Sequence, residues 1–409
     1  MMPAPLLRVR TVTVFVTLTK DPGLKEESKW KERVKEASDL LERVVKQVER
    51  ETKLEVQTKR LATNNFFDYL EHEEDKGEEY YLKAAKELEV FATTNGFDFV
   101  SIGSVGPGVE SRAAMIKQVK LVPMLLSQTD KVFVNVQLPS QDCDLASDCL
   151  KDLSPESCFR FTVCSCCPGG IPFFPAAYSD GNSALGFAFG MENSGLLYDT
   201  VEKATRLDPG KGVQVHQLSD VIKEGFQQAL EPLDRLGKDI EKRSGGGGIS
   251  FLGTDASIAP GLDHKSIPST FELLGCKPFG SPGTQAICSS ITRGLKSLEI
   301  KLCGYSGLML PVCEDSGLAD AYSKGYVNVS NFLQYSAVCG VGLDTFPVAD
   351  DTPKSVIKGV LQDVCTLAER WNKPLSCRLL KCPGKKAGDK TEFKSPYLVE
   401  VCLQPLVPN

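Results

Sequence analysis

The chain has 409 residues, 42% of them hydrophobic and 24% charged, and a formal net charge of −6. That composition suits a soluble globular protein with a large core, and no apolar run approaches the roughly 20 residues of a membrane span. Net acidity without a basic stripe speaks against a nucleic-acid partner, because neutralising phosphates takes clustered positive charge.

Residues 10–19 alternate Val, Phe and Thr and predict a strand, with a turn at Asp21-Pro22-Gly23. Trp30, Val34, Ala37, Leu41, Val44, Val45 and Val48 then keep helical spacing. A weaker strand follows at 54–61, a helix at 78–93 and an apolar strand at 97–102. Residues 113–126 read as helix, 131–137 as strand, 145–153 as helix and 159–164 as strand. The stretch from Cys166 to Pro175 carries three prolines and two glycines and cannot be regular. A strand at 185–189 precedes the long helical pattern from Leu218 to Ile240, with a kink expected at Pro232. Helices are expected at 283–298, 316–326, 330–337 and 353–371, the last with Thr352 as N-cap and Pro353 at its first position. Strands at 375–381 and 396–403 close the chain. Strands and helices alternate without a linker, which predicts one α/β domain over 1–409 with a parallel or mixed sheet. About ten strands is many for an open sheet, so closure into a barrel is attractive.

The fifteen cysteines are odd in number and irregular in spacing, and Met1 to Arg10 lacks the apolar core of a secretory signal. The chain therefore reads as cytoplasmic, with reduced thiols. Cys164-Ser165-Cys166-Cys167 has no second paired set and no nearby histidine, so a structural zinc site is disfavoured. A reactive thiol in that loop, at Cys166 for instance, is the better functional reading.

Between 249 and 351 one device recurs: an apolar run ending in small residues beside a carboxylate. The carboxylates are Asp255, the pair Glu314-Asp315, and Asp344. Ligands of α/β folds bind at strand ends, and acids gathered there suit general acid–base chemistry or a hard cation such as Mg²⁺. Each has a plainer alternative. Asp255 can bond its own turn, Asp315 or Ser316 can cap the following helix, and Asp344 can form an ion pair with Arg378 or Arg293. His264 can act as an acid or base near Asp255 or be a surface histidine. Phe173 and Phe174 are expected to wall the substrate. No G-x-S-x-G elbow, P-loop or dinucleotide fingerprint is present.

Several motifs carry a resemblance. They are Arg10-Thr11-Val12-Thr13, Asp255-Ala256-Ser257-Ile258-Ala259-Pro260, Gly283-Thr284, Gly304-Tyr305-Ser306-Gly307, residues Pro311 to Gly317, residues Val338 to Asp344, and residues Lys385 to Asp389. Their order and spacing resemble a widespread microbial family, the domain of unknown function numbered seven-eleven. The resemblance implies a fold similar to the ten-stranded α/β barrel of glycyl radical enzymes, with an inner-loop thiol and strand-end groups around a buried cavity. The radical itself is not expected: such enzymes carry an Arg-containing glycine motif near the C-terminus, whereas here Leu302-Cys303 precedes Gly304. Where microbial members tend to carry Ala-Phe-His-Gly and Gly-Thr-His-Gly-Thr, this chain has Ala177-Tyr178-Ser179-Asp180-Gly181 and Gly280-Ser281-Pro282-Gly283-Thr284.

Together these readings predict an enzyme acting on a small polar metabolite by elimination, isomerisation or condensation. Glu314 would be the base, with Asp315, Asp255 and Cys166 as further catalytic candidates. Asp344, Phe173, Phe174, His264 and Tyr305 would contact substrate. The alternative is a metabolite-binding or regulatory protein without catalysis. Neither reading requires a membrane, and both allow a homo-oligomer.

Overall fold

Val9, Val12, Val14 and Val16 are fully buried along the first strand, β1 (Arg8–Val16), whose β-branched residues suit a pleated core surface. The computed structural model describes residues 7–20, 29–70, 77–106, 111–207, 212–244, 248–261 and 265–407. Eight further strands follow: β2 (Val56–Thr63), β3 (Phe99–Val105), β4 (Val132–Gln137), β5 (Phe161–Ser165), β6 (Leu185–Glu192), β7 (Ile249–Asp255), β8 (Gly342–Ala349) and β9 (Leu375–Cys382). They form one nine-stranded sheet in the order β7-β6-β1-β2-β3-β4-β5-β9-β8.

The strands β1 to β5 run parallel to one another. At each side of this block the direction reverses: β6 is antiparallel to β1 and β9 antiparallel to β5. The outer partners β7 and β8 are then parallel to β6 and β9. The mixed α/β expectation is met with nine strands. Residues 302–311 form isolated parallel bridges to both edges of the sheet, Leu302 with Thr254, Leu308 with Ile258, and Pro311 with Asp344. Gly307 and Pro311 interrupt this segment, so the apolar run before Glu314 is not a regular strand.

Helices cover the sheet with amphipathic faces. In Lys29–Thr52 the residues at helical spacing, Trp30, Val34, Ala37, Leu41, Val44, Val45 and Val48, are all buried. Pro232 lies inside one continuous helix, Val215–Arg243. Helices at Pro155–Phe159, Ser194–Leu207 and Ile267–Leu273 were not anticipated by the periodicity. The expected strand at 396–403 makes only the bridge Lys390 to Cys402. Pro353 takes the cap position of Lys354–Trp371, in place of Thr352. The expected turn at Asp21–Gly23 lies outside the described residues. Among the described residues no helix is long and apolar enough to cross a membrane.

The irregular stretch after β5 lies against the sheet with its backbone bonded. Thr13 of β1 donates to the Pro172 carbonyl (2.8 Å), Ser101 of β3 to Ala177 (2.6 Å) and Asn135 of β4 to Pro175 (2.9 Å). Irregular backbone can be buried only where its polar groups find partners, and polar side chains on three strands supply them. Phe174 and Ala177 pack beside Phe15, Ala62, Phe133 and Ala188.

Candidate functional site

That loop forms one wall of a cavity of about 330 Å³. Arg10, Thr58, Arg60, Phe99, Phe133 and Thr162 line it from near the amino ends of β1 to β5. Phe173 and Phe174 of the loop, Tyr305, Glu314, and Asp344, Ser376 and Arg378 near the starts of β8 and β9 complete the lining. Glu55 and Tyr397, both well exposed, lie at its rim. The cavity thus faces the starts of the parallel strands, whereas ligands of open α/β sheets gather at their carboxyl ends.

Its polar centre is Arg378. The side chain is buried, with Nη2 2.6 Å from Glu314 Oε1 and Nε 2.6 Å from Asp344 Oδ1. Its guanidinium rests on the Phe159 ring at 4.9 Å. Arg10 stands 3.6 Å from the other Glu314 oxygen and also pairs with the buried Glu192 at the end of β6. Burial raises the Glu314 carboxyl above the ordinary glutamate range. Arg378 and Arg10 oppose the rise and Asp344 adds to it. The same two carboxylates raise the pKa of Arg378 against the effect of its burial.

Asp344 reaches this cluster through an irregularity. The β8–β9 register shifts between Leu343 and Phe346, and Thr345 has a φ of 39°, a strained value for a β-branched residue. A bulge re-aims side chains, and this one sits where Asp344 meets Arg378. Asp344 therefore lies near the beginning of its strand, not at the end as expected. Of the two arginines considered as its partner, it pairs with Arg378.

The other candidates are placed differently. Asp255 ends β7, is fully buried, and does not line the cavity. It accepts from the backbone N–H groups of Tyr305 (2.8 Å), Ser306 (2.8 Å) and Ser257 (3.0 Å), and from Ser257 Oγ (2.5 Å). It thereby anchors the segment that presents Tyr305, whose hydroxyl donates to Ser376 (3.0 Å). Asp315 caps the helix Ser316–Ser323, accepting from Gly317 and Leu318, and ties down Ile267 across the fold. The adjacent acids are thus divided: Glu314 lines the cavity and Asp315 holds backbone. Cys166 is exposed and off the cavity lining, while its buried neighbour Cys167 lies 3.8 Å from the Tyr305 hydroxyl. His264 lies outside the described residues.

Burial pushes the Asp315 carboxyl up to about 6 despite three backbone donors. Between about pH 4 and 6 the folded chain then holds a proton that the unfolded chain has released, so stability falls as pH rises across that window. The advantage of wild type over Asp315→Asn should shrink by about 3 kcal/mol from pH 4 to pH 7. Urea denaturation at both pH values checks this, and a pH-independent difference would refute it.

Sequence reasoning missed the cavity's two other arginines, Arg10 and Arg60. Each is a charge within a strand, and that was the available signal. A metal fits poorly here. Glu314 and Asp344 already bond a guanidinium, and among the described residues no group of three His, Cys, Asp or Glu could hold an ion.

The match to known proteins covers the same framework. Residues 1–394 match the family model described as Uncharacterised ACR (DUF711). The chain belongs to this family. A UPF0210 protein of Lactobacillus helveticus is 25% identical over 95% of this chain and 88% of its own length. One from Thermoanaerobacter sp. strain X514 is 24% identical over 96% and 89%. One from Pyrobaculum arsenaticum is 27% identical over 77% and 72%. The DUF711 match includes every cavity residue named above except Tyr397 at the rim.

Proposed function

We propose that this chain is an enzyme that takes a small polar metabolite into the Arg378 cavity, with Glu314 as its general acid–base group. One observation carries the reading. Glu314 is a buried carboxylate that lines the cavity, and burial raises its proton affinity against the pull of Arg378 and Arg10, which suits a group that exchanges a proton with a ligand. Proton abstraction leading to elimination, isomerisation or condensation is the matching reaction class. Arg378 and Arg10 would hold the carboxylate in place, and Asp344 would hold Arg378. Asp255 and Asp315 act as anchors of the surrounding loops, and Cys166 is left without a catalytic part. The sheet would close as a ten-stranded barrel similar to that of glycyl radical enzymes, with residues 302–311 as its irregular tenth member. The bridges from that segment to both edges support closure. We place the protein in the cytoplasm as a single domain.

The test starts from a metabolite extract incubated with the protein and followed by mass spectrometry. Any compound converted by wild type should be converted roughly 10²–10⁴-fold more slowly by Glu314→Gln. Gln keeps an acceptor for Arg378, and Asp344 keeps its charge partner, so the melting temperature should change little. Unfolding of the variant at ordinary temperature would make Glu314 structural. The second reading, a metabolite-binding protein without catalysis, is favoured by one geometric fact: the 2.6 Å ion pair of Glu314 with Arg378 stabilises the ionised, proton-free form. Retention of a compound without conversion would support it.

A further inference from the structure

We infer that Arg60 is the seat for a carboxylate group of the molecule that enters this cavity, so that the ligand is a small carboxylic acid. The inference rests on the proposed metabolite site and adds the chemical class of its occupant. Arg60 is buried on β2 and lines the cavity. Among the described residues no carboxylate stands within ion-pair distance of it, whereas Arg378 has two such partners and Arg10 also has two. Its Nε donates to Thr58 Oγ1 at 3.0 Å. The guanidinium lies over the rings of Phe174 (5.1 Å) and Phe99 (5.9 Å).

Aromatic rings contact a guanidinium through its faces and leave the donors at its edge. An unpaired cation is costly to bury, and buried charges are normally matched by an opposite one. Here burial, Arg10 and Arg378 push the Arg60 pKa down to about 9, against the weaker opposing pull of Glu314 and Asp98. Such a site gains most from an added negative charge. A planar fork of donors matches a carboxylate's two oxygens. Glu314 and Asp344 are engaged with Arg378 and leave the Arg60 edge to a ligand. The aromatic lining from Phe99, Phe133, Phe159 and Phe174 suits an apolar body behind that group. A carboxylate seated at Arg60 would place the rest of the ligand in the cavity that Glu314 also lines.

Isothermal titration with benzoate, its neutral counterpart benzamide, and inorganic phosphate tests this. Wild type should bind benzoate at least tenfold more tightly than benzamide or phosphate. Arg60→Gln should lose that preference, and Arg60→Lys should recover part of it. Equal affinity for benzoate and benzamide, failure of both to bind, or unchanged benzoate binding by folded Arg60→Gln would overturn the assignment. Tighter binding of phosphate would overturn the carboxylate class. Should the Arg60 variants fail to fold, the wild-type comparison of benzoate with benzamide still decides. Glu314→Gln separates the two readings: it should keep benzoate binding even if Glu314 proves to have no catalytic part.

Discussion

Arg378→Met is expected to destabilise the protein by about 3–5 kcal/mol, the usual cost of breaking a buried ion pair from one side. The substitution keeps much of the apolar volume but leaves Glu314 and Asp344 without the guanidinium that lies 2.6 Å from each. Arg10, at 3.6 Å from Glu314, compensates only one of them. Glu314, whose proton affinity burial already raises, would then take a proton more readily in the folded variant than in its unfolded chain. The sign follows: the defect is smallest at low pH, where Glu314 is protonated in either state, and grows as pH rises through its raised folded value. Urea denaturation at pH 5 and pH 8 should show the larger loss at pH 8. The triple variant Arg378→Met, Glu314→Gln, Asp344→Asn should regain most of the stability, because no uncompensated charge remains. A single variant as stable as wild type at pH 8 would show that the cluster is hydrated and inexpensive.

Much of the framework is written locally. Helical spacing located Lys29–Thr52 because one face of it, from Trp30 to Val48, must be buried. The run of β-branched residues located β1 for the same reason. The misses have physical causes as well. Ser194–Leu207 buries only Ser194, Gly195, Leu197 and Val201, too sparse an apolar face to announce a helix. Residues 302–311 touch both sheet edges through single bridges, a contact made by the tertiary fold rather than by propensity. At the site, Glu314 and Asp344 stood out as acids in apolar surroundings. Arg10, Arg60 and Arg378 are far apart in the chain, and each shares its strand with a second basic residue, Arg8, Lys59 or Lys381, that does not line the cavity. Only the order β1-β2 on one side and β5-β9 on the other brings them to one cavity. A charge inside a strand is the legible part of that signal, and its partner is not. Asp255 and Asp315 show the converse limit. An acid that serves a substrate and an acid that serves backbone N–H groups look alike until the donors are in place.

Asp255→Ala should cost about 4 kcal/mol, although the residue does not itself line the cavity. Four buried donors lose their acceptor at once: the N–H groups of Tyr305, Ser306 and Ser257, and the Ser257 hydroxyl. Each stranded buried donor costs about 1–3 kcal/mol, and the sum is not additive. Relief from burying the carboxyl, which burial pushes above the ordinary aspartate range, offsets part of the loss. Water is a poor substitute because the backbone closes tightly on the side chain. A Cβ on Gly304, whose φ is 59°, would collide with Asp255 Oδ2. Asp255→Asn should lie between the two, since one oxygen survives for Ser306 and Ser257 while an amide faces the Tyr305 N–H. The loss should appear as a lower urea midpoint with an unchanged slope. It should be accompanied by weaker benzoate binding, because Tyr305 reaches the cavity from the segment that Asp255 holds. A loss below about 1 kcal/mol would mean that the ring of donors re-forms without the carboxylate, and that Tyr305 is positioned by its Ser376 hydrogen bond instead.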